Sequence, residues 1–190
     1  MRTIQELKFQ AKQNVKPQMF EAIIIVLIVS LIISALAAVG VGFIIAGPLY
    51  VGLIYYFTKL RQGEKADFNI LSDGFKEPLT TSIVGYILVM LFTLLWSLLF
   101  IIPGIIKSFS YAMTLYVIAE NPTMSANEAI TQSRAMMVGH KFRLFLLYLS
   151  FIGWFILGIF TFGLTILYIA PVIQASVLEF YNDVKTTTIK

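Results

Sequence analysis

"AIIIVLIVSLIISALAAVGVGFIIAGPLYVGLIYYFT", residues Ala22–Thr58, runs for 37 positions without a charged side chain. A helix crosses a hydrocarbon core about 30 Å thick with roughly 20 apolar residues, so this run is long enough for two crossings. Its middle, Gly40–Pro48, "GVGFIIAGP", gathers Gly40, Gly42, Gly47 and Pro48, the residue types that most readily interrupt regular backbone. The pattern predicts a membrane hairpin over 22–60, with arms at Ala22–Val41 and Ala46–Leu60.

Two further charge-free runs flank the rest of the chain. Leu144–Leu178 is 35 residues long with "GIFTFG", Gly158–Gly163, near its centre. That predicts a hairpin over 142–181, divided into Phe142–Phe160 and Gly163–Tyr181. Pro78–Ile106 is 29 residues long and contains "IIPG" near its end. Beyond Gly104 a shorter apolar piece, Ile105–Ala119, completes a hairpin over 78–119. It carries Lys107, which lies close enough to the helix end to snorkel to the interface. The expected fold class is therefore all-α integral membrane, a single membrane domain over 1–190 with six transmembrane helices in three hairpins.

Composition supports this class. Hydrophobic residues make up 58% of the 190 positions and charged residues 13%, with mean hydropathy +0.86. A soluble domain carries about 25% charged residues. The Ala35 and Ala37 pair resembles a signal-peptidase site, but 21 polar-led residues precede the run and apolar sequence continues past it, so cleavage is not expected. With no cysteine, disulfides, thiolate metal sites and thiol nucleophiles are excluded.

Charge sets the expected orientation. If the hairpin turns lie outside, Lys107 alone of the 14 Lys and Arg falls on the outer half. The other basic residues, from Arg2 to Lys190, stand before, between or after the hairpins on one side, as the positive-inside rule requires. Both termini are then cytoplasmic. A four-span alternative leaves about 35 apolar residues in one helix or places basic loops outside. The net charge of +4 fits anionic headgroups at that surface. No basic and aromatic surface beyond the membrane flanks points to nucleic acid.

The polar segments beside the runs resemble one another. "TIQE", Thr3–Glu6, and "SANE", Ser125–Glu128, both carry the capping-box spacing at a helix start. They predict cytoplasmic helices at 3–16 and 125–138. At the same offset of 122, Gln10 meets Gln132, Lys12 meets Arg134 and Phe20 meets Phe142, while Pro48 falls one position from Pro171. First and third hairpins then form an internal repeat, each led by a short amphipathic helix. In the first, Ile4, Leu7, Ala11 and Val15 follow helical spacing beside Lys8, Lys12 and Lys16.

Catalytic and cofactor chemistry is not expected, and no cofactor is assigned. His140 is the sole imidazole, with no second histidine or cysteine for a metal site and no G-x-S-x-G elbow on any serine. "VGVGF", Val39–Phe43, sits at a predicted hairpin turn rather than after a strand. The acidic pairs Glu64 with Asp67 and Asp73 with Glu77 alternate with lysines, as a solvated loop does. Candidate lipid or partner contacts are Lys8, Lys12, Lys16, Arg134, His140, Lys141 and Arg143. Candidate helix-packing or cavity residues are Ser30, Ser34, Gly47, Pro48, Thr93, Pro103, Gly104, Thr161, Thr165 and Pro171, because small and hydroxyl side chains join helices in lipid.

The stretches "IIPGIIKSFSYAMTLYVIAENP" (101–122), "SRAMMVGHKFRLFLLYLSFIGWFILGIFTFG" (133–163) and "APVIQASVLEFYNDV" (170–184) carry a family resemblance. With "GPLYVGLIYYFTKLRQGE" (47–64), they resemble the bacterial integral-membrane family known as domain of unknown function 975. Pro103, Gly104, Tyr111, Ser133, Gly139, Trp154 and Pro171 carry much of the pattern. Glu120 and Ala170 depart from it, standing where Asp and a bulkier residue are expected. The family in turn resembles the membrane domain of some glycerophosphodiesterases. The resemblance implies six helices in a bacterial plasma membrane and no known reaction. The expected function is a non-enzymatic module contacting anionic lipid and a membrane or cytoplasmic protein partner, in envelope maintenance or export. The alternative is a carrier or exporter of a lipid or apolar peptide.

Overall fold

The computed structural model describes residues 1–38 and 40–188; Val39 of the "VGVGF" stretch and Lys190 of the charge pattern lie outside them. The described residues are helical, with no strand among them. Six helical stretches are long and apolar enough to cross a membrane.

The first stretch joins α1 (Ile4–Val15) to α2 (Met19–Ala38) through a 3-10 turn at Lys16–Gln18. Thr3 and Glu6 form the capping box at its start, so two orphan amides of the first turn are satisfied by side chains. Pro17 sits in the 3-10 segment, where the lack of a proline N–H interrupts the α-helical hydrogen-bond ladder between α1 and α2.

The chain reverses at Gly40 and Val41, Gly40 supplying the positive φ of 78° that side-chain-bearing residues avoid. The next helix, α3 (Gly42–Arg61), contains Pro48 and Gly47. Both lie within the expected arm Ala46–Leu60, though the helix begins four residues earlier, at Gly42, and Gly47 stands at a helix–helix contact. A Cβ on Gly47 would overlap the Ser82 carbonyl oxygen, and Gly52 gives similar clearance to Leu71. The missing side chains let two backbones approach.

A 3-10 segment, Phe68–Phe75, packs on α3 and leads to α4 (Leu79–Leu99). The following reversal takes one extended residue, Phe100, and α5 (Ile101–Tyr111) begins before Pro103, earlier than the expected Ile105. Pro103 stands in the first turn, where it forfeits no helical hydrogen bond. Gly104 lets α5 lie against α4: its Cβ would come within 2.8 Å of the Ser97 Cα. With α6 (Thr114–Glu120), this fourth apolar stretch is 20 residues long, enough to cross a bilayer.

Ser125 and Glu128 form the second capping box, at α7 (Ala126–Met136). A turn with Gly139 at positive φ precedes α8 (Lys141–Leu149), α9 (Ile152–Phe160) and α10 (Leu164–Thr188). The last reversal uses Phe162 and Gly163, both at positive φ.

Two of the apolar stretches are broken, between α5 and α6 and between α8 and α9, and each break is served by a polar-segment helix. Ser133 of α7 accepts the Met113 N–H at 3.2 Å and donates to the Ser110 carbonyl at 2.9 Å. Lys8 of α1 donates to the Ser150 carbonyl at 3.0 Å while its ammonium lies 4.2 Å from the Phe151 ring centre. Freed backbone groups are thus satisfied inside the protein, as an apolar surrounding demands.

Burial repeats at the offset of 122 seen in sequence. Leu7 and Ala129, Ala11 and Ser133, Val15 and Met137, and Ala22 and Leu144 are all fully buried. Lys12 and Arg134, and Phe20 and Phe142, are all exposed. The connections differ, because α1 runs on through the 3-10 turn whereas α7 stops before Gly139.

The packed core is lopsided. It gathers α1, the second half of α3, α6, α7 and the second half of α10, at the end of the molecule that carries the charges. The opposite tips expose large apolar side chains: Leu98 at 74%, Ile101 at 75%, Phe160 at 77% and Phe162 at 100%.

Candidate functional site

The charged end is organised around the last turns of α10. Glu179 and Asp183 lie one helical turn apart on the same face, and their side chains are only 3% and 8% exposed. Isolated carboxylates at that depth are costly, so each must be matched.

The match comes from arginines of three other segments. Arg2, before α1, places Nη1 2.7 Å from Glu179 Oε2 and Nε 3.4 Å from Asp183 Oδ1. Arg61, at the end of α3, places Nε 2.8 Å from Glu179 Oε1, which also accepts from Asn14 Nδ2 at 3.0 Å. Arg143 of α8 donates from Nη2 to Asp183 Oδ2 at 2.6 Å and to the Arg2 carbonyl oxygen. Its guanidinium carbon lies 5.2 Å from the Phe180 ring centre. Arg2 is held further by its Nη2 on the Glu179 carbonyl at 3.0 Å, its backbone N–H on Asp183, and Nη1 on Gln10 Oε1.

The planar fork of guanidinium explains why arginine fills these places. It grips carboxylates and carbonyls from several directions and stacks on a ring at once, which an ammonium does not. Three of the chain's four arginines converge here. That bias, with the Glu179–Asp183 spacing after a long charge-free run, is the sequence signal for the cluster, and sequence reading passed over it. Beside it, Tyr181 donates to Glu120 Oε2 at 2.7 Å and stacks on Tyr116, while Lys185 pairs with Glu120 at 2.6 Å. The cluster ties α10 to the segment before α1, to the end of α3 and to α8.

The sequence-predicted contact residues divide in two. Arg143 and Lys8 are engaged inside the fold. Lys12, Lys16 and Arg134 are exposed, Lys141 is half-buried, and none of the four forms an ion pair among the described residues. His140 precedes α8 half-buried. Burial, then the positive Arg143 nearby, holds its imidazole below the ordinary range, against a smaller opposite pull from Asp183.

The predicted packing residues are scattered over separate helix contacts. Gly47 with Pro48 and Gly104 set close approaches. Ser30 donates to the Val26 carbonyl at 2.7 Å, and Ser34 is exposed. The Thr93 carbonyl accepts from Ser97 at 2.8 Å. Thr161 and Thr165 share a 2.6 Å hydroxyl contact at the last reversal. Pro171 is buried within α10.

Comparison with curated proteins and with solved structures finds no match. The 47–64 stretch lies before the region matched by a family model, while the other three quoted stretches lie within it. Residues 98–188, from the tip of α4 through α10, match the family described as protein of unknown function (DUF975).

Proposed function

We propose that the chain is a non-enzymatic multi-pass protein of a bacterial plasma membrane, serving envelope maintenance or export by contacting lipid and a protein partner from its cytoplasmic side. On this reading the six apolar stretches are three membrane hairpins, α1 and α7 are cytoplasmic feet, and both termini are cytoplasmic. The observation that carries it is the split among basic residues. Lys12, Lys16, Arg134 and Lys141 form no ion pair among the described residues, while Arg2, Arg61 and Arg143 are engaged with the α10 carboxylates. Unpaired cations at a membrane boundary are what anionic headgroups or an acidic partner surface engage.

The absence of cysteine makes the topology directly testable. Single cysteines replacing Lys65 or Arg134 should react with an impermeant thiol reagent only after the membrane is opened, and one replacing Phe162 should react in intact cells. Labelling of all three from outside would overturn the orientation. The tagged protein isolated in mild detergent should carry anionic lipid and a stoichiometric partner, both reduced by Arg134→Glu with Lys141→Glu. Unchanged recovery of both would remove these residues from the contact.

A second reading, carriage of a lipid or apolar peptide, is favoured by a trough of about 410 Å³ along α4 lined by Tyr86, Met90, Thr93 and Ser97. Flux across liposomes reduced by Thr93→Val would select it.

A further inference from the structure

A cavity of about 400 Å³ opens where α3 ends, the Phe68–Phe75 segment crosses and α4 begins. That volume lies within the range of small-ligand sites. Its apolar lining includes Ile70, Pro78 and Pro122; its polar lining includes Thr58, Gln62, Lys59, Lys76, Asp73 and Glu77. Two lysines and two carboxylates make the wall neutral overall.

These charges are unequally satisfied. Lys76 and Asp73 close on each other at 2.7 Å. Lys59 and Glu77 form no ion pair among the described residues, and so do not neutralise one another although both line the same space. One cation and one anion thus face a single cavity from different elements, Lys59 from the last turn of α3 and Glu77 from the approach to α4.

A ligand carrying both charges on a short linker answers both walls. A purely anionic ligand would set its phosphate against Glu77, and a purely cationic one would meet Lys59. Primary ammonium donates hydrogen bonds to a carboxylate, whereas a quaternary ammonium has no N–H to give. The site stands at the ends of two helices that cross the bilayer on the membrane reading, which is the headgroup level. The apolar lining suits the glycerol and first methylenes below a headgroup.

We infer that this cavity binds a phosphoethanolamine group, its phosphate on Lys59 and its primary ammonium on Glu77, as the headgroup of a phospholipid or as the free zwitterion. The inference rests on the membrane reading for its lipid source.

The test uses the full chain purified in detergent, stripped of lipid, and offered phosphatidylethanolamine, phosphatidylcholine or phosphatidylglycerol, with bound lipid counted by native mass spectrometry. One phosphatidylethanolamine per chain is expected, retained at least tenfold better than the other two. Lys59→Ala and Glu77→Gln should each reduce retention tenfold or more, while Lys65→Ala leaves it unchanged. Helical content and thermal midpoint are followed for every variant, and Lys59→Gln replaces Lys59→Ala if the latter does not fold. Soluble O-phosphoethanolamine forms the second arm: binding there without lipid retention, lost in the same variants, assigns the site to the free zwitterion. Equal retention of all three lipids, or binding indifferent to Lys59 and Glu77 in both arms, overturns the proposal. The single-cysteine topology is read independently, so a failed headgroup site and a failed membrane assignment are distinguishable.

Discussion

At Glu179 two guanidiniums and a side-chain amide meet one carboxylate that is almost wholly withdrawn from solvent. Removing the charge there leaves Arg2 and Arg61 facing a neutral amide at the same depth. Glu179→Gln should therefore destabilise the chain by about 2–4 kcal/mol, toward the lower side of a broken buried pair because both arginines are partly exposed. Thermal unfolding in detergent, followed by helical signal, checks this against the exposed Glu64→Gln, and equal midpoints for both would refute it. Glu128 allows a pH experiment. Hydrogen bonds from the Ser125 hydroxyl, then from its backbone N–H, hold its carboxyl below the ordinary 4.5. A depressed carboxyl stabilises the fold fully above its unfolded value, and that contribution is lost as pH falls through the folded one. The Glu128 carboxyl resonance should titrate below 4.5 in the native chain and move part of the way up in Ser125→Ala, which removes the hydroxyl but keeps the backbone N–H; titration at the ordinary value in both would contradict the cap.

Helices α1 and α7 show which parts of this fold are written locally. A hydroxyl three residues before a glutamate is a short-range signal, and both capping boxes form where the sequence places them. Three long charge-free runs are equally plain, since length and polarity alone reveal them, whereas the fourth stretch is five residues longer than its sequence estimate because α5 begins at Ile101 and α6 ends at Glu120. The reversals were less legible because glycine has two uses. Gly40 and Gly163 turn the chain with positive φ, whereas Gly104, expected before the helix start at Ile105, lies within α5 against Ser97; Gly47, expected inside its arm as a packing residue, lies against the Ser82 backbone. The Glu179 cluster leaves a compositional signal in its arginines, but which of them reach Glu179 is not written locally, because these partners lie 118 and 177 residues away. Packing glycines differ from spacious ones in a measurable way. Gly47→Ala must displace the Ser82 backbone and should cost about 1–3 kcal/mol. Gly153→Ala, in α9 with nothing within 4 Å of the added carbon, should be neutral or stabilising by up to about 1 kcal/mol. Similar midpoints for the two variants would show that α3 and α4 are not held at that distance.

Across the whole molecule, the early and late parts of the chain are tied at the charged end. Arg2 and Arg61 reach Glu179, and Glu120 meets Tyr181 and Lys185. A chain cut between Pro122 and Thr123 should therefore reassemble when its pieces are produced together. Recovery of the second piece on a tagged first piece should fall roughly tenfold or more with Glu179→Gln, since 1.4 kcal/mol is a factor of ten. Recovery unaffected by that change would mean that apolar packing alone joins the pieces. At the far tips, by contrast, Leu98, Ile101, Phe160 and Phe162 touch little of the protein. On the membrane reading this makes the bundle a fan with a riveted handle. When the bilayer thins or thickens, helices accommodate the mismatch by tilting. Here the tips can spread or close individually while the rivet of arginines and carboxylates keeps its shape, so lipid composition would alter the outer silhouette of the protein and leave its inner face constant.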